Sequence, residues 1–224
     1  MKPLILLHPL IISMSLFAQK NNSGKKDNRP NIIYIYADDM GYGELGCYGQ
    51  QKIKTPNLDK MAAEGIRFTQ HYTGTPVCAP ARCMLMTGKH SGHSYIRGNY
   101  ELGGFEDWNE GGQMPLPEGT FTIAKMMKQA GYVTGAIGKW GLGMNDNTGD
   151  PNKQGFDYFY GYYCQKQAHN FYPTHLWENG KWDTLQNKPF MVHRAIPANS
   201  SDSAFENFKG KDYSITKMAE KTLA

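Results

Sequence analysis

Apolar and polar positions follow two rhythms along the chain, and each predicts a different kind of element. Asn31-Ile32-Ile33-Tyr34-Ile35-Tyr36-Ala37 is a near-continuous apolar, β-branched and aromatic run, the pattern of a strand buried on both faces. Thr55-Pro56-Asn57-Leu58-Asp59 reads as a helix start, with Thr55 as cap and Pro56 in the first helical position. Leu58, Met61 and Ala62 form the buried stripe of that helix, and Gly65 ends it. Ile66-Arg67-Phe68-Thr69-Gln70-His71-Tyr72 alternates as a second strand. A further helix runs from Thr122 through Ile123, Met126, Met127 and Ala130 to a stop at Gly131, and feeds a strand from Tyr132 to Gly138. Helices alternating with apolar strands predict an α/β fold, with a mostly parallel sheet sandwiched by helices.

Towards the end of the chain the pattern changes. Gly155 to Tyr163 is dense in aromatics, and Leu176 to Trp182 contains the Asn179-Gly180 signal of a two-residue hairpin. Aromatics so placed predict core or hairpin packing, with a sugar platform as the alternative. Asp212 is placed to cap a last helix whose stripe is Ile215, Met218, Ala219 and Leu223. That stripe is still running at Ala224, so the expectation is a domain truncated on its C-terminal side.

Composition narrows the class. A chain of 224 residues holds one large α/β domain or most of one. The net charge of +4 comes from scattered Lys and Arg rather than a basic stripe, which argues against a nucleic-acid partner. Lys2 precedes the apolar run Leu4 to Phe17, and Ala18-Gln19 offers a small-residue cleavage point. The run holds Pro9 and falls short of the ~20 residues of a membrane span. Residues 1–18 therefore read as a signal peptide, 19–29 as a linker, and the mature protein as exported, periplasmic or secreted, without a stable membrane span. In such a compartment Cys47, Cys78, Cys83 and Cys164 have the parity for two disulfides, unless one cysteine is committed elsewhere.

The chemistry gathers at strand ends. Asp38-Asp39 follows the first apolar run, and two adjacent acids there are best held by a hard divalent cation; the alternative is one capping acid and one solvent-facing acid. Cys78 precedes a short helical run with Pro80 in its first turn, Arg82 four residues after the thiol, and Gly88 as stop. Amides and the dipole at a helix start favour a reactive thiol, although a small buried residue fits the same position. Asp38, Asp39 and Lys139 fall at the carboxyl ends of strands, where open α/β sheets place their ligands, and Cys78 follows a strand in the same sense. The polar loop Lys89 to Asn99 adds His90 and His93, without the spacing of a zinc site.

From about Arg29 onward the chain resembles a type I sulfatase, a family of the alkaline phosphatase-like superfamily. The resemblance rests on Cys78-x-Pro80-x-Arg82 continuing to Leu85-Met86-Thr87-Gly88, on Asp38-Asp39-Met40-Gly41-Tyr42-Gly43, on Thr55 to Asp59, and on Gly131-Tyr132 through Gly138-Lys139-Trp140. It implies that residues 30–224 are the N-terminal part of a catalytic domain that hydrolyses sulfate esters of carbohydrates or aryl alcohols. It further implies that a formylglycine-generating enzyme oxidises Cys78 to formylglycine. One hydroxyl of the hydrated aldehyde would attack sulfur, and loss of a proton from the other would then release inorganic sulfate. Asp38, Asp39 and an oxygen of the modified Cys78 would hold Ca²⁺, or Mg²⁺, Arg82 would hold the formylglycine, and Lys139 would bind a sulfate or leaving oxygen.

Two departures stand out. The family often has a histidine two residues after the lysine, where this chain has Gly141, so His169 or His93 is the candidate substitute. Ala81 replaces a frequent serine inside the modification motif. The further metal and sulfate ligands of such enzymes would lie beyond residue 224, so the chain as given is expected to have little activity. The competing readings are a phosphomonoesterase or phosphodiesterase of the same superfamily, and a non-catalytic anion-binding pseudoenzyme.

Overall fold

The computed structural model describes residues 29–224; the expected signal peptide and all of the expected linker but Arg29 lie outside the described residues. Of the described residues, those up to Met40 belong to one unit and Gly41–Ala224 to another. In the first, the strand expected over Asn31–Ala37 is absent, and Ile33 and Ile35 are exposed. A β-branched run becomes a strand only when neighbours take up its N–H and C=O groups, and no described strand pairs with this one.

The second unit begins with 3₁₀ turns at Tyr42–Glu44 and Gly46–Tyr48, followed by helix α1 (Pro56–Glu64). Thr55 occupies the N-cap as expected, but its hydroxyl serves the neighbouring turn. It accepts from the Gly46 amide at 2.8 Å and donates to Asp59 at 3.0 Å. The strand expected over Ile66–Tyr72 does not form. Tyr48 donates its hydroxyl to the Phe68 carbonyl at 2.7 Å, so a side chain takes an acceptor that a ladder would have used.

Helix α2 (Cys78–Thr87) comes next, then the short hairpin of β1 (Phe105–Glu106) and β2 (Asn109–Glu110), and helix α3 (Ile123–Gln129). The Thr122 hydroxyl caps α3 by accepting from the Lys125 amide at 3.2 Å. Strands β3 (Gly135–Lys139), β4 (Tyr158–Tyr162), β5 (His175–Glu178) and β6 (Lys181–Thr184) form one sheet in that order, and helix α4 (Ser214–Leu223) follows. The β3–β4 pairing is parallel and the other two are antiparallel, so the described sheet is mixed. Gly138 faces Gly161 across the parallel pair, and a Cβ on Gly161 would stand only 2.0 Å from the Gly138 carbonyl oxygen. The strands approach there because neither has a side chain. Asn179 and Gly180 turn β5 into β6 with φ of 48° and 82°, the left-handed pair that the hairpin signal requires.

Alternation along β4 builds a core on each face of the sheet. Phe159 and Tyr163 pack with Ala79 and Cys83 of α2, Leu116, Leu142 and Trp177. Tyr160 and Tyr162 pack with Leu176 and Leu185, and Met218 of α4 closes over them. The aromatic segment is thus mainly core. Asp212 does not cap α4: Tyr213 is the N-cap, and the Asp212 carboxylate accepts from the Gln186 amide at 2.6 Å.

Helix α4 is tied to the sheet by Lys221, which donates to both Glu178 oxygens at 2.8 and 2.9 Å, while the Tyr158 hydroxyl adds a third bond at 2.7 Å. Lys221, then Tyr158, hold the Glu178 carboxyl below its usual range. A carboxyl lowered in the folded state stabilises above its unfolded value and loses that contribution as pH falls through the lowered one. Thermal unfolding should therefore show a midpoint that falls as pH drops below about 4.5. Glu178→Gln should make that fall shallower; an unchanged acid limb would remove Glu178 from the account.

Candidate active site

Val77 is extended, with φ of −124° and ψ of 132°, and the chain turns into α2 at Cys78 itself. The cysteine is the first helical residue, one position deeper than the sequence suggested. Gly88 ends the helix in the left-handed conformation, at φ of 67°, and returns its N–H to the Met84 carbonyl at 2.8 Å. The free amides expected around Cys78 are fewer than supposed. The Ala79 N–H is taken by Asn99 Oδ1 at 3.0 Å, and Pro80 has no N–H to offer. The loop from Lys89 to Asn99 thereby pins the helix start.

Arg82 lies one helical turn after Cys78 and on the same face. Lys139 is the last residue of β3, at the carboxyl edge of the parallel pair. Its Nζ donates to the Cys78 sulfur at 3.4 Å, and Nη1 of Arg82 donates to the Lys139 carbonyl oxygen. Cys78, Arg82 and Lys139, drawn from two elements, therefore meet in a closed arrangement. Each of the three is half-buried. The guanidinium expected to reach the modified cysteine has an Nη1 that braces the main chain of the lysine.

The residues after Lys139 hold it in place. Trp140 and Gly141 extend the parallel ladder, donating to the Tyr162 and Tyr163 carbonyls at 2.9 and 3.0 Å. The Trp140 indole is 4% exposed, donates to the Gly149 carbonyl at 2.7 Å and meets Phe156 edge-on. Shifting Lys139 along the strand would break all of these contacts.

The remaining candidates are placed differently. Asp38 and Asp39 are exposed residues of the first unit, and Asp39 has a left-handed φ of 56°, a conformation aspartate tolerates better than most residues. Their oxygens suit a hard cation, but two carboxylates are short of the 6–8 oxygen ligands of Ca²⁺. Among the described residues, no three His, Cys, Asp or Glu side chains gather to hold a metal ion. His93 pairs with His90, ring nitrogen to ring nitrogen, at 2.9 Å. His169 is exposed on the 3₁₀ turn Gln167–His169 and meets His193 edge-on at 5.4 Å. That turn is clamped by the β1–β2 hairpin: buried Asp107 accepts from Gln167 at 2.9 Å and from the Thr174 amide at 2.6 Å. All four cysteines are free thiols.

Residues 30–223 match the Sulfatase family. The chain belongs to that family. The sulfatase chain is 45% identical over 138 residues to human arylsulfatase D, covering 59% of this chain and 23% of that protein. It is 37% identical over 172 residues to an N-acetylgalactosamine-6-O-sulfatase of Bacteroides thetaiotaomicron, covering 70% and 32%. Among solved structures it resembles one determined in complex with its substrate, D-glucosamine-2-N,6-O-disulfate, with a TM-score of 0.55 and 31% identity over 71% of this chain and 28% of the other. The sulfatase chain thus spans between 23% and 32% of the length of these relatives. Its fold is that of the alkaline phosphatase-like superfamily, with the mixed sheet and its helices forming part of the domain.

Asn99, which takes the Ala79 amide of α2, and the buried Gln113 and Gln165 beside the site are functional neighbours without a motif of their own. Gly141, noted as a departure, was the nearest signal. Nothing in the spacing of a lone Asn or Gln announces what it touches.

Proposed function

We propose that residues 30–224 supply part of a sulfatase catalytic domain that hydrolyses sulfate esters, with Cys78 converted to formylglycine. The observation that carries this reading is the Lys139 Nζ standing 3.4 Å from the Cys78 sulfur, braced by Arg82, in a chain of this family. The hydrated aldehyde supplies a nucleophilic hydroxyl together with a second hydroxyl that lets the sulfate leave. Lys139 meets a sulfate or leaving oxygen as a compact positive charge close to the reacting atoms. Arg82 fixes where the Lys139 main chain stands and adds positive charge behind the site. Asp38 and Asp39 would hold Ca²⁺ or Mg²⁺, with other oxygens completing the shell. His169 and His93 remain candidates for substrate contact.

Beside relatives named arylsulfatases, one named an N-acetylgalactosamine-6-O-sulfatase and one solved with a disulfated glucosamine support a sulfated amino sugar as the substrate class. The site itself holds an anion and leaves the alcohol unspecified. Maturation would need a formylglycine-generating enzyme acting on Cys78-Ala79-Pro80-Ala81-Arg82. The apolar run Leu4 to Phe17 with Ala18-Gln19 after it supports export to the periplasm or outside.

The mass of the peptide carrying Cys78, from protein matured in its own export pathway, tests the reading. Conversion to formylglycine lowers the mass by about 18 Da relative to the thiol, and that deficit is the expected result. An intact thiol, or a disulfide between Cys78 and Cys83, would overturn the proposal.

A further inference from the structure

Gly141 lies two residues past Lys139 and holds a left-handed φ of 75°, a conformation that favours glycine. A Cβ built there would stand 3.0 Å from Gln165 Cβ, 3.1 Å from Gln165 Oε1 and 3.7 Å from Arg82 Cδ. The space a side chain at 141 would claim is therefore already occupied. Its occupant is an amide, and the stem of Arg82 lines the same point.

Gln165 is built into this place rather than resting there. It is 2% exposed, and its backbone N–H donates to Gln113 Oε1 at 2.8 Å. Gln113 is itself 1% exposed and reaches the Cys164 sulfur with its amide nitrogen at 3.5 Å. Yet the Gln165 Oε1 is buried with no hydrogen-bond partner among the described residues. A buried polar atom left so calls for an explanation, because its desolvation is not offset by a bond. A plain filler of this volume would be better made of leucine or methionine.

We propose that Gln165 is a positioning residue of the Cys78–Arg82–Lys139 site, doing from the segment after β4 what a side chain at 141 cannot do here. Its amide oxygen and the Arg82 Cδ line the same point above Gly141, so the glutamine limits where the Arg82 stem can lie. Nη1 of that arginine holds the Lys139 carbonyl, and Lys139 in turn places Nζ on Cys78. The glycine at 141 and the glutamine at 165 are two halves of one solution: either residue alone would leave a hole or a clash.

The proposal rests on the sulfatase reading for its activity readout only, so its test uses two readouts on the complete protein. The first is the rate at which iodoacetamide alkylates Cys78 in protein made without maturation, followed by peptide mass at neutral pH. Lys139 Nζ lies 3.4 Å from the sulfur that is alkylated, so displacing it through Gln165→Leu should change this rate about threefold, in the same direction as Lys139→Met. Gln165→Glu, which keeps an oxygen in place, should restore it. The second readout is turnover of matured enzyme, where Gln165→Leu should lower kcat about tenfold with KM changed less than about twofold. Gly141→Ala should cost more alone than in the Gln165→Ala background, because truncating the glutamine vacates the space; neighbours sharing one site are non-additive.

Folded Gln165→Leu protein with unchanged alkylation and unchanged kcat would overturn the proposal. So would additive losses across the Gly141 and Gln165 cycle, which remains informative if the leucine variant misfolds. Altered alkylation in a protein with no sulfatase turnover would sustain the positioning role and sink the sulfatase reading instead.

Discussion

Cys78→Ala in the complete, matured enzyme is expected to abolish sulfate-ester turnover, by about 10⁴-fold or more, because it removes the nucleophile and not an accessory group. Cys78 is half-buried at the first position of α2, so truncation there removes little core and should leave the thermal midpoint close to wild type. Cys78→Ser sharpens the test. A serine hydroxyl can attack sulfur but has no second hydroxyl on the same carbon to expel the sulfate. That variant is expected to bind about one sulfate per chain covalently and then stall, which intact-mass measurement would reveal. Wild-type turnover by either variant, with product followed by sulfate release, would place the nucleophile elsewhere.

Features written in a few adjacent residues are legible in the sequence. Thr55-Pro56 opened α1, Thr122 capped α3, Gly88 ended α2, and Asn179-Gly180 turned β5 into β6. Each depends on local backbone preference, and local preference is what a sequence carries most directly. The strands expected at Asn31–Ala37 and Ile66–Tyr72 depend instead on partners. Their apolar patterns said that they could pair and not with what, and among the described residues nothing pairs with them. Asp212 failed for a related reason. An aspartate before a helix is a good cap, but the Gln186 amide, distant in sequence, takes its carboxylate.

The site divides along the same line. Cys78 and Arg82 share one helical turn, so their proximity follows from periodicity. That Lys139 joins them requires β3 to end beside α2, which strand-end logic anticipated. The bracing of the Lys139 carbonyl by Arg82, the Asn99 cap and the Gln165 amide over Gly141 are tertiary contacts between residues of unremarkable sequence context. Asp38 and Asp39 carry the right oxygens for a cation, but a metal shell is a property of several chain segments at once.

Lys139→Ala is expected to lower kcat of the complete enzyme by about 10²–10³-fold, the cost of deleting one preorganised charge stabiliser at a reacting centre. The structural cost should be small. Arg82 holds Lys139 through its backbone carbonyl, and β4 holds the strand through main-chain bonds, all of which survive removal of the side chain. Lys139→Arg should rescue poorly although it keeps the charge. The 3.4 Å approach to position 78 comes from a slender ammonium, whereas a guanidinium is planar, longer and committed to a fork of donors. Kinetics on both variants with one sulfated saccharide, beside a thermal scan, separate these terms. A fall in kcat with an unchanged midpoint assigns Lys139 to the chemistry. A lowered midpoint with kcat preserved would make its contact with Cys78 a structural prop, and the charge at the reacting sulfur would then have to come from Arg82.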